Sequence, residues 1–203
     1  MYRAKRIFRK ITISTILLFS VLAWGTAGAQ QPTILDFKGE WKMNAEESEF
    51  EFKIKNMWLF NVKGTMEVTE GSIVFDKMDT DDFVSLTVDP ATINTGNDKR
   101  DEHLQSEDFF FVSKYPEIEF IGGEVVASDE EKSDYMVKGT LTIRGVSHEK
   151  NIPIHEIEYV NASKNKIKIT GKVTINRQKF EIDYSGMIIA DKAEVTYTIV
   201  AEK

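Results

Sequence analysis

Three arginines could bind an anion, and two of them lie where the sequence indicates that strands end. Arg144 and Arg177 each follow a long stretch in which apolar and polar residues alternate, and Arg100 lies in a polar segment. Guanidinium groups bind carboxylates and phosphates through two parallel hydrogen bonds. We expect these three arginines and His103 to surround the mouth of a ligand site and to bind a headgroup there, with surface salt bridges as the alternative.

Asp101 and His103 are the residues best suited to acid–base chemistry. A carboxylate and an imidazole can act as an acid/base pair, but residues two positions apart do not share a helix face. The structural alternative is that Asp101 caps a helix while Arg100 ties the loop to a neighbouring strand. If the pair is catalytic, the protein is an enzyme that acts on the ligand held beside it.

The sequence contains none of the motifs that usually mark catalysis or cofactor binding. It has no nucleophile elbow, phosphate loop, dinucleotide fingerprint or zincin motif. Its three histidines, His103, His148 and His155, lack the spacing of metal ligands, and it has no cysteine. We therefore predict a protein that is not an enzyme and that uses neither a cofactor nor a metal.

Apolar and polar residues alternate with a period of two from about residue 39 almost to the C-terminus. Such alternation is typical of antiparallel strands with one buried face and one solvated face. About ten strand candidates are present, and closure into a barrel would remove the exposed sheet edges. We predict an all-β fold, a single antiparallel β-barrel, in preference to a sandwich.

The inward-facing residues of this barrel are the expected contacts of an apolar ligand. Periodicity alone cannot distinguish a hollow barrel from one that is filled with side chains. The predicted interior consists of Phe50, Phe52, Ile54, Leu86, Phe110, Phe120, Val137, Leu141, Ile143, Ile169, Val173, Ile175 and Tyr197.

Polar clusters and one irregular segment separate the strand candidates. The expected turns are Glu70-Gly71, Asp79 to Asp82, Ser128 to Asp134 and Asn161 to Asn165. The segment from Thr95 to Ser106 lacks the alternation, and we predict a short helix near residues 98–106 with Asp98 as its N-cap. The aromatic cluster that follows, Phe109 to Phe111, is expected to close one end of the barrel.

The N-terminal 29 residues have the pattern of a signal peptide. Five basic residues precede an apolar run from Ile11 to Trp24, and Ala27-Gly28-Ala29 fits a cleavage site. The apolar run is shorter than the roughly 20 residues of a spanning helix. Residues 30–38 then form a leader, and residues 39–203 form one domain. We expect an exported, soluble protein without stable membrane insertion.

Charge argues against nucleic acid as a partner. The chain has 26 Lys+Arg and 33 Asp+Glu, and residues 1–29 contain five of the basic residues and no acidic one, so cleavage leaves a net charge of −12. Nucleic-acid affinity depends on basic residues that neutralise phosphates. Anionic membranes would repel the domain in the same way. A homodimer is among the assembly states that the sequence leaves open.

Four stretches of the chain resemble the YceI-like polyisoprenoid-binding family. The segment from Thr95 to Phe110 resembles its central motif, and three further stretches match in order and spacing: Tyr115-Pro116 with Ile118 and Phe120; Gly139 to Val146; and Ile175-Asn176-Arg177 with Phe180. The resemblance extends from about Trp41 to Ile199. It implies a lipocalin-like barrel of eight strands, periplasmic or secreted, with an elongated apolar pocket for a long isoprenoid chain.

The sequence departs from this family at two places. Glu47-Ser48 stands where the family usually has a His-Ser pair, so a headgroup role for that histidine is absent. Phe180-Glu181 stands where the family usually has Phe-Gly, which places a carboxylate at a position of close backbone approach. Both departures affect the expected identity of the ligand.

Three functions are compatible with the sequence. The first is a carrier for an isoprenoid lipid or a similar amphiphile held in the barrel. The second is an enzyme that acts on such a lipid through Asp101 and His103 at the barrel mouth. The third is a filled barrel that acts through a protein partner in a stress response. The absence of catalytic motifs favours the carrier.

Overall fold

A computed structural model describes residues 33–56, 60–76, 83–128, 133–184 and 189–203. Within these ranges, ten strands and one α-helix alternate with short turns. The strands are β1 Gly39–Met43, β2 Glu49–Asn56, β3 Phe60–Phe75, β4 Phe83–Asn94, β5 Ile118–Ala127, β6 Tyr135–Ile143, β7 Val146–Ile154, β8 Glu156–Tyr159, β9 Lys166–Asn176 and β10 Ile189–Glu202. The helix α1 is Asp98–Gln105, and 3-10 helices span Ile34–Phe37, Ala45–Glu47 and Arg177–Phe180.

The ten strands occupy eight positions around a barrel, because two pairs of strands continue one another. β1 and β2 both pair with β3 on one side and with β10 on the other. β7 pairs with β6, and β8 pairs with β9. His155 alone separates β7 from β8, and its N–H donates to the carbonyl of Thr170 on β9 at 2.8 Å. The continuous β7–β8 segment therefore closes the circle, and the predicted antiparallel barrel is confirmed.

The period-two alternation divides each strand between the core and the solvent. Apolar residues on one face pack into a single core that includes Trp41, Val137, Ile169 and Tyr197. The other face carries charged pairs between neighbouring strands, for example Glu194 with Lys53 at 2.9 Å. These pairs lower the pKa of Glu194 from its usual value, Lys172 on β9 having the larger effect and Lys53 on β2 the smaller.

Glycines inside the strands make room for aromatic rings on neighbouring strands. Gly64 is paired with Phe52, and a Cβ at Gly64 would lie 2.6 Å from the Phe52 ring. Gly171 is paired with Tyr197, and a Cβ there would overlap the tyrosine hydroxyl. The space lets Tyr197 reach across β9 and donate to the carbonyl of Pro153 on β7. Burial raises the pKa of Tyr197 well above its usual value, so this hydroxyl keeps its proton.

The 3-10 helix Ile34–Phe37 closes one end of the barrel, which we call the plug end. Phe37 is fully buried, and the indole N–H of Trp41 donates to its carbonyl at 2.8 Å. Tyr159 donates to the carbonyl of Asp36, and the amide of Ile34 donates to the hydroxyl of Tyr135. The second half of the expected leader is therefore part of the folded domain, because its aromatic side chain fills the barrel end.

The predicted turns have different outcomes. The turn at residues 161–165 is confirmed, with Lys164 donating to the carbonyl of Asn161. The turn predicted at Glu70-Gly71 is wrong, since β3 runs through both residues, which pair with Thr87 and Leu86 on β4. Residues 79–82 lie outside the described residues, as do residues 129–132 and the expected signal peptide.

Candidate functional site

The barrel is hollow and encloses a cavity of about 280 Å³. Several inward-facing residues, among them Phe52, Ile54 and Leu86, are only half-buried because they retain accessible surface inside the barrel. Every apolar residue that the sequence assigned to the interior lines this cavity: Phe50, Phe52, Ile54, Leu86, Phe110, Phe120, Val137, Leu141, Ile143, Ile169, Val173, Ile175 and Tyr197. Their contact with a ligand stays a prediction.

The cavity wall also contains apolar residues that the sequence analysis missed. They include Val62, Met66, Leu104, Ile118, Ile152 and Ile189. The alternation Val62-Gly64-Met66 could have identified the two residues of β3, although the glycine interrupts it. No comparable pattern was available for Leu104, since its helix is almost entirely polar and only the fold brings it over the opening.

The helix α1 covers the end of the barrel opposite the plug, which we call the helix end. Asn97 is the N-cap, because its side chain accepts from the amide of Arg100 at 3.0 Å. The helix is confirmed, but the predicted cap at Asp98 is wrong, since Asp98 is already in the first turn. The cap is therefore Asn97, one position before the predicted residue.

Asp101 and Arg100 both bind Thr95, directly after β4. The carboxylate of Asp101 accepts from the amide of Thr95 at 3.1 Å and from its hydroxyl. The Arg100 guanidinium donates to the Thr95 hydroxyl at 2.7 Å and to its carbonyl at 2.9 Å. Arg100 also lines the cavity. These bonds hold α1 to the end of β4. Arg100 thus has the tying role that the structural alternative gave it, whereas Asp101 does not cap the helix, since Asn97 is the cap.

Arg144 and Arg177 tie together loops at the helix end. Arg144 donates to the carbonyls of Glu181 and Glu107, and its Nε is buried without a hydrogen-bond partner among the described residues. It does not belong to the cavity wall, in contrast to the expected headgroup position. Arg177 lines the cavity and donates to the carbonyl of Ala190 at 3.1 Å and to that of Ile189 at 3.3 Å.

His103 lines the cavity but does not pair with Asp101. Its Nε2 lies 2.9 Å from Asp108 Oδ2, and the rings of Phe109 and Tyr184 meet it edge-on at 5.0 Å. Phe109 is buried and lines the cavity together with Phe110, so the aromatic cluster helps to close this end. The acid–base pair that the enzyme alternative required is not formed, because Asp101 is directed to Thr95.

Asn56, at the end of β2, is a polar residue of the cavity wall that the sequence analysis missed. It continues the inward parity of Phe52 and Ile54, and it is paired with Ile189 on β10 and Phe60 on β3. Its Oδ1 is buried and has no hydrogen-bond partner among the described residues. An amide on the inner face of β2, next to Phe52 and Ile54, is an exception to the alternation of that strand.

The described ranges contain neither a metal-binding cluster nor a helix able to span a membrane. No group of three or more potential ligands among histidines, aspartates and glutamates is arranged to hold a metal ion there. None of the helices in these ranges combines the length and the apolar character that crossing a membrane demands.

Comparison with known proteins relates the chain to one family. A family model described as a YceI-like domain matches residues 41–201. A UPF0312 protein of Staphylococcus aureus strain USA300 is 33% identical over 148 residues, which cover 68% of this chain and 79% of that protein. A UPF0312 protein of Staphylococcus epidermidis strain ATCC 35984 shows the same identity and the same coverage.

Solved structures with the same fold come from three other organisms. BcnA of Burkholderia cenocepacia gives a TM-score of 0.67 at 20% identity, covering 78% of this chain and 98% of that one. A polyisoprenoid-binding domain of Saccharophagus degradans, implicated in plant cell wall breakdown, gives 0.60 at 14% identity, covering 80% and 97%. A YceI protein of Campylobacter jejuni gives 0.58 at 27% identity, covering 73% and 89%.

Proposed function

This chain belongs to the YceI-like domain family, and from that premise we propose that it is an exported, non-catalytic protein that carries a long-chain apolar ligand. The ligand is an isoprenoid lipid or a similar amphiphile held inside the barrel. The observation that carries the proposal is the hollow interior of about 280 Å³ with its apolar wall. The Saccharophagus neighbour, described as polyisoprenoid-binding, supports the choice of ligand class.

Burial of the tail supplies the binding energy in this proposal. Each buried methylene contributes about 0.8 kcal/mol, so ten methylenes contribute about 8 kcal/mol before the costs of association. Those costs are reduced here because the cavity exists before a ligand enters. An enclosed apolar wall with few polar groups suits shielding of a tail from water better than chemistry on it.

Replacement of Leu141 by aspartate tests whether the interior holds the ligand. Leu141 is buried and lines the cavity, whereas its neighbour Thr140 is exposed. An aspartate at position 141 would place an unpaired carboxyl group among apolar side chains. Its burial there is costly whether the group is ionised or protonated. We expect Leu141→Asp to abolish uptake of a fluorescent isoprenoid or to unfold the domain. Thr140→Asp places a carboxylate opposite Glu149 on β7, so it should lower the melting temperature slightly and leave uptake unchanged.

Mass spectrometry of organic extracts from natively purified protein provides the independent measurement. A co-purifying long-chain lipid is the expected result. If the folded wild-type protein contains no lipid and takes up no isoprenoid in titration, the carrier proposal is wrong. Equal uptake by wild type and a folded Leu141→Asp variant would show that the ligand binds elsewhere.

A further inference from the structure

Among the described residues of the cavity wall, Asn56 is an uncharged polar residue whose presence the fold does not explain. Asn56 ends β2 at the helix end, and its Oδ1 is buried without a partner among the described residues. A buried polar group without a hydrogen bond destabilises the folded state. Native proteins satisfy nearly all such groups, and exceptions often mark functional sites.

The position of Asn56 fits the recognition of one end of a ligand. Its neighbours on the inner face of β2, Phe52 and Ile54, are apolar wall residues, so a tail would run along them toward the plug end. Opposite Asn56 lies Ile189 at the start of β10. The side-chain amide of Asn56 would therefore contact the ligand at the point where the apolar tail leaves the apolar part of the cavity.

The two arginines and the imidazole that line the cavity near the helix end already have protein partners. Arg177 donates to backbone carbonyls and lies 3.6 Å from the carboxylate of Asp191. His103 is paired with Asp108 at 2.9 Å. Arg100 is bonded to Thr95. An anionic headgroup would have to displace these partners, and it would approach a chain whose net charge is −7.

We infer that the ligand ends in an uncharged polar group that hydrogen-bonds to the side-chain amide of Asn56. This inference rests on the proposed function and specifies its ligand. A side-chain amide offers an acceptor oxygen and two donor hydrogens. Rotation of the amide group by 180° exchanges the positions of its oxygen and its nitrogen. A hydroxyl or a carbonyl group at the end of an isoprenoid chain is therefore complementary to it, whereas a phosphate is not favoured.

Three probes with one carbon skeleton test the inference: a prenyl alcohol, the corresponding prenyl monophosphate and the hydrocarbon without a polar end. Each is titrated against wild type, Asn56→Leu and the matched control Asn61→Leu. Asn61 is exposed on β3, so its replacement leaves the cavity unchanged. Melting temperatures of the ligand-free proteins are measured in parallel.

We expect wild type to bind the alcohol more tightly than the phosphate. Asn56→Leu should lose about five- to tenfold in affinity for the alcohol, keep its affinity for the hydrocarbon and melt no lower than wild type, because an unsatisfied polar group has been removed. Asn61→Leu should bind all three probes as wild type does.

Two results would overturn the inference while leaving the carrier function intact. One is tighter binding of the phosphate than of the alcohol by wild type. The other is an equal response of the alcohol and the hydrocarbon to Asn56→Leu, which would assign Asn56 a purely structural role. Failure of wild type to bind any of the three probes would instead overturn the proposed function together with the inference.

Discussion

At the scale of the residue, Glu181 shows how this chain differs from the family it resembles. Its φ of 57° and ψ of 26° place it in the left-handed region, where it ends the 3-10 helix Arg177–Phe180. The family usually has glycine at this position, and only glycine adopts that conformation without cost. The departure noted in the sequence therefore lies at a strained backbone position rather than in the cavity wall.

Replacement of Glu181 by glycine should stabilise the protein. A glycine removes the strain of the left-handed conformation, which stabilises the folded state by about 1–2 kcal/mol. The greater conformational entropy of glycine in the unfolded chain offsets part of this stabilisation. We expect the free energy of unfolding in urea to rise by about 0.5–1 kcal/mol. Glu158→Gly on β8 is the matched control and should lower it. A loss of stability in Glu181→Gly would mean that the glutamate side chain outweighs the strain.

At the scale of the element, the 3-10 helix Ile34–Phe37 at the plug end is the part of the fold that the sequence does not predict. Residues 30–38 lack the alternation of a strand, and the sequence therefore predicts only a leader there. Phe37 is nevertheless fully buried, with its ring 4.8 Å from that of Tyr159 on β8. Part of this burial comes from Tyr159, more than a hundred positions away, and no local pattern could have indicated it.

Truncation of Phe37 should therefore be as harmful as truncation of a core residue. Phe→Ala changes in cores cost about 3–5 kcal/mol, and we expect Phe37→Ala to lower the free energy of unfolding by about 3 kcal/mol in chemical denaturation. Phe60→Ala provides the control, since Phe60 is 64% exposed. Similar small losses in both variants would show that the 3-10 helix does not hold the barrel end closed.

The strand interiors were predictable because the barrel imposes one rule along the whole chain. In β6, for example, Val137, Leu141 and Ile143 could be assigned to the cavity by parity alone. The helix end was less predictable, because the partners of Arg144 and His103 are set by how loops meet in space. The sequence does not identify Asn56 as a cavity residue either, because an asparagine at the end of a strand is indistinguishable from a turn residue.

At the scale of the whole molecule, export is the part of the proposal that rests on the sequence pattern of residues 1–29. We expect N-terminal sequencing of protein recovered from the cell envelope or medium to begin at Gln30. Ala29→Leu should retain the segment, because the cleavage site requires a small residue. Recovery of wild-type protein with Met1 retained on membranes would contradict the expected localisation.

β10 is the last strand of the chain, and it occupies the position between β9 and the first two strands. The amide of Val200 donates to the hydroxyl of Ser48, 152 residues earlier. Bringing two such distant segments together costs conformational entropy before any contact between them forms, and this cost slows folding. A chain that emerges N-terminus first cannot close this barrel until β10 has been synthesised. Until then the apolar faces of the earlier strands lack their native partners, and such exposed surface is prone to aggregation.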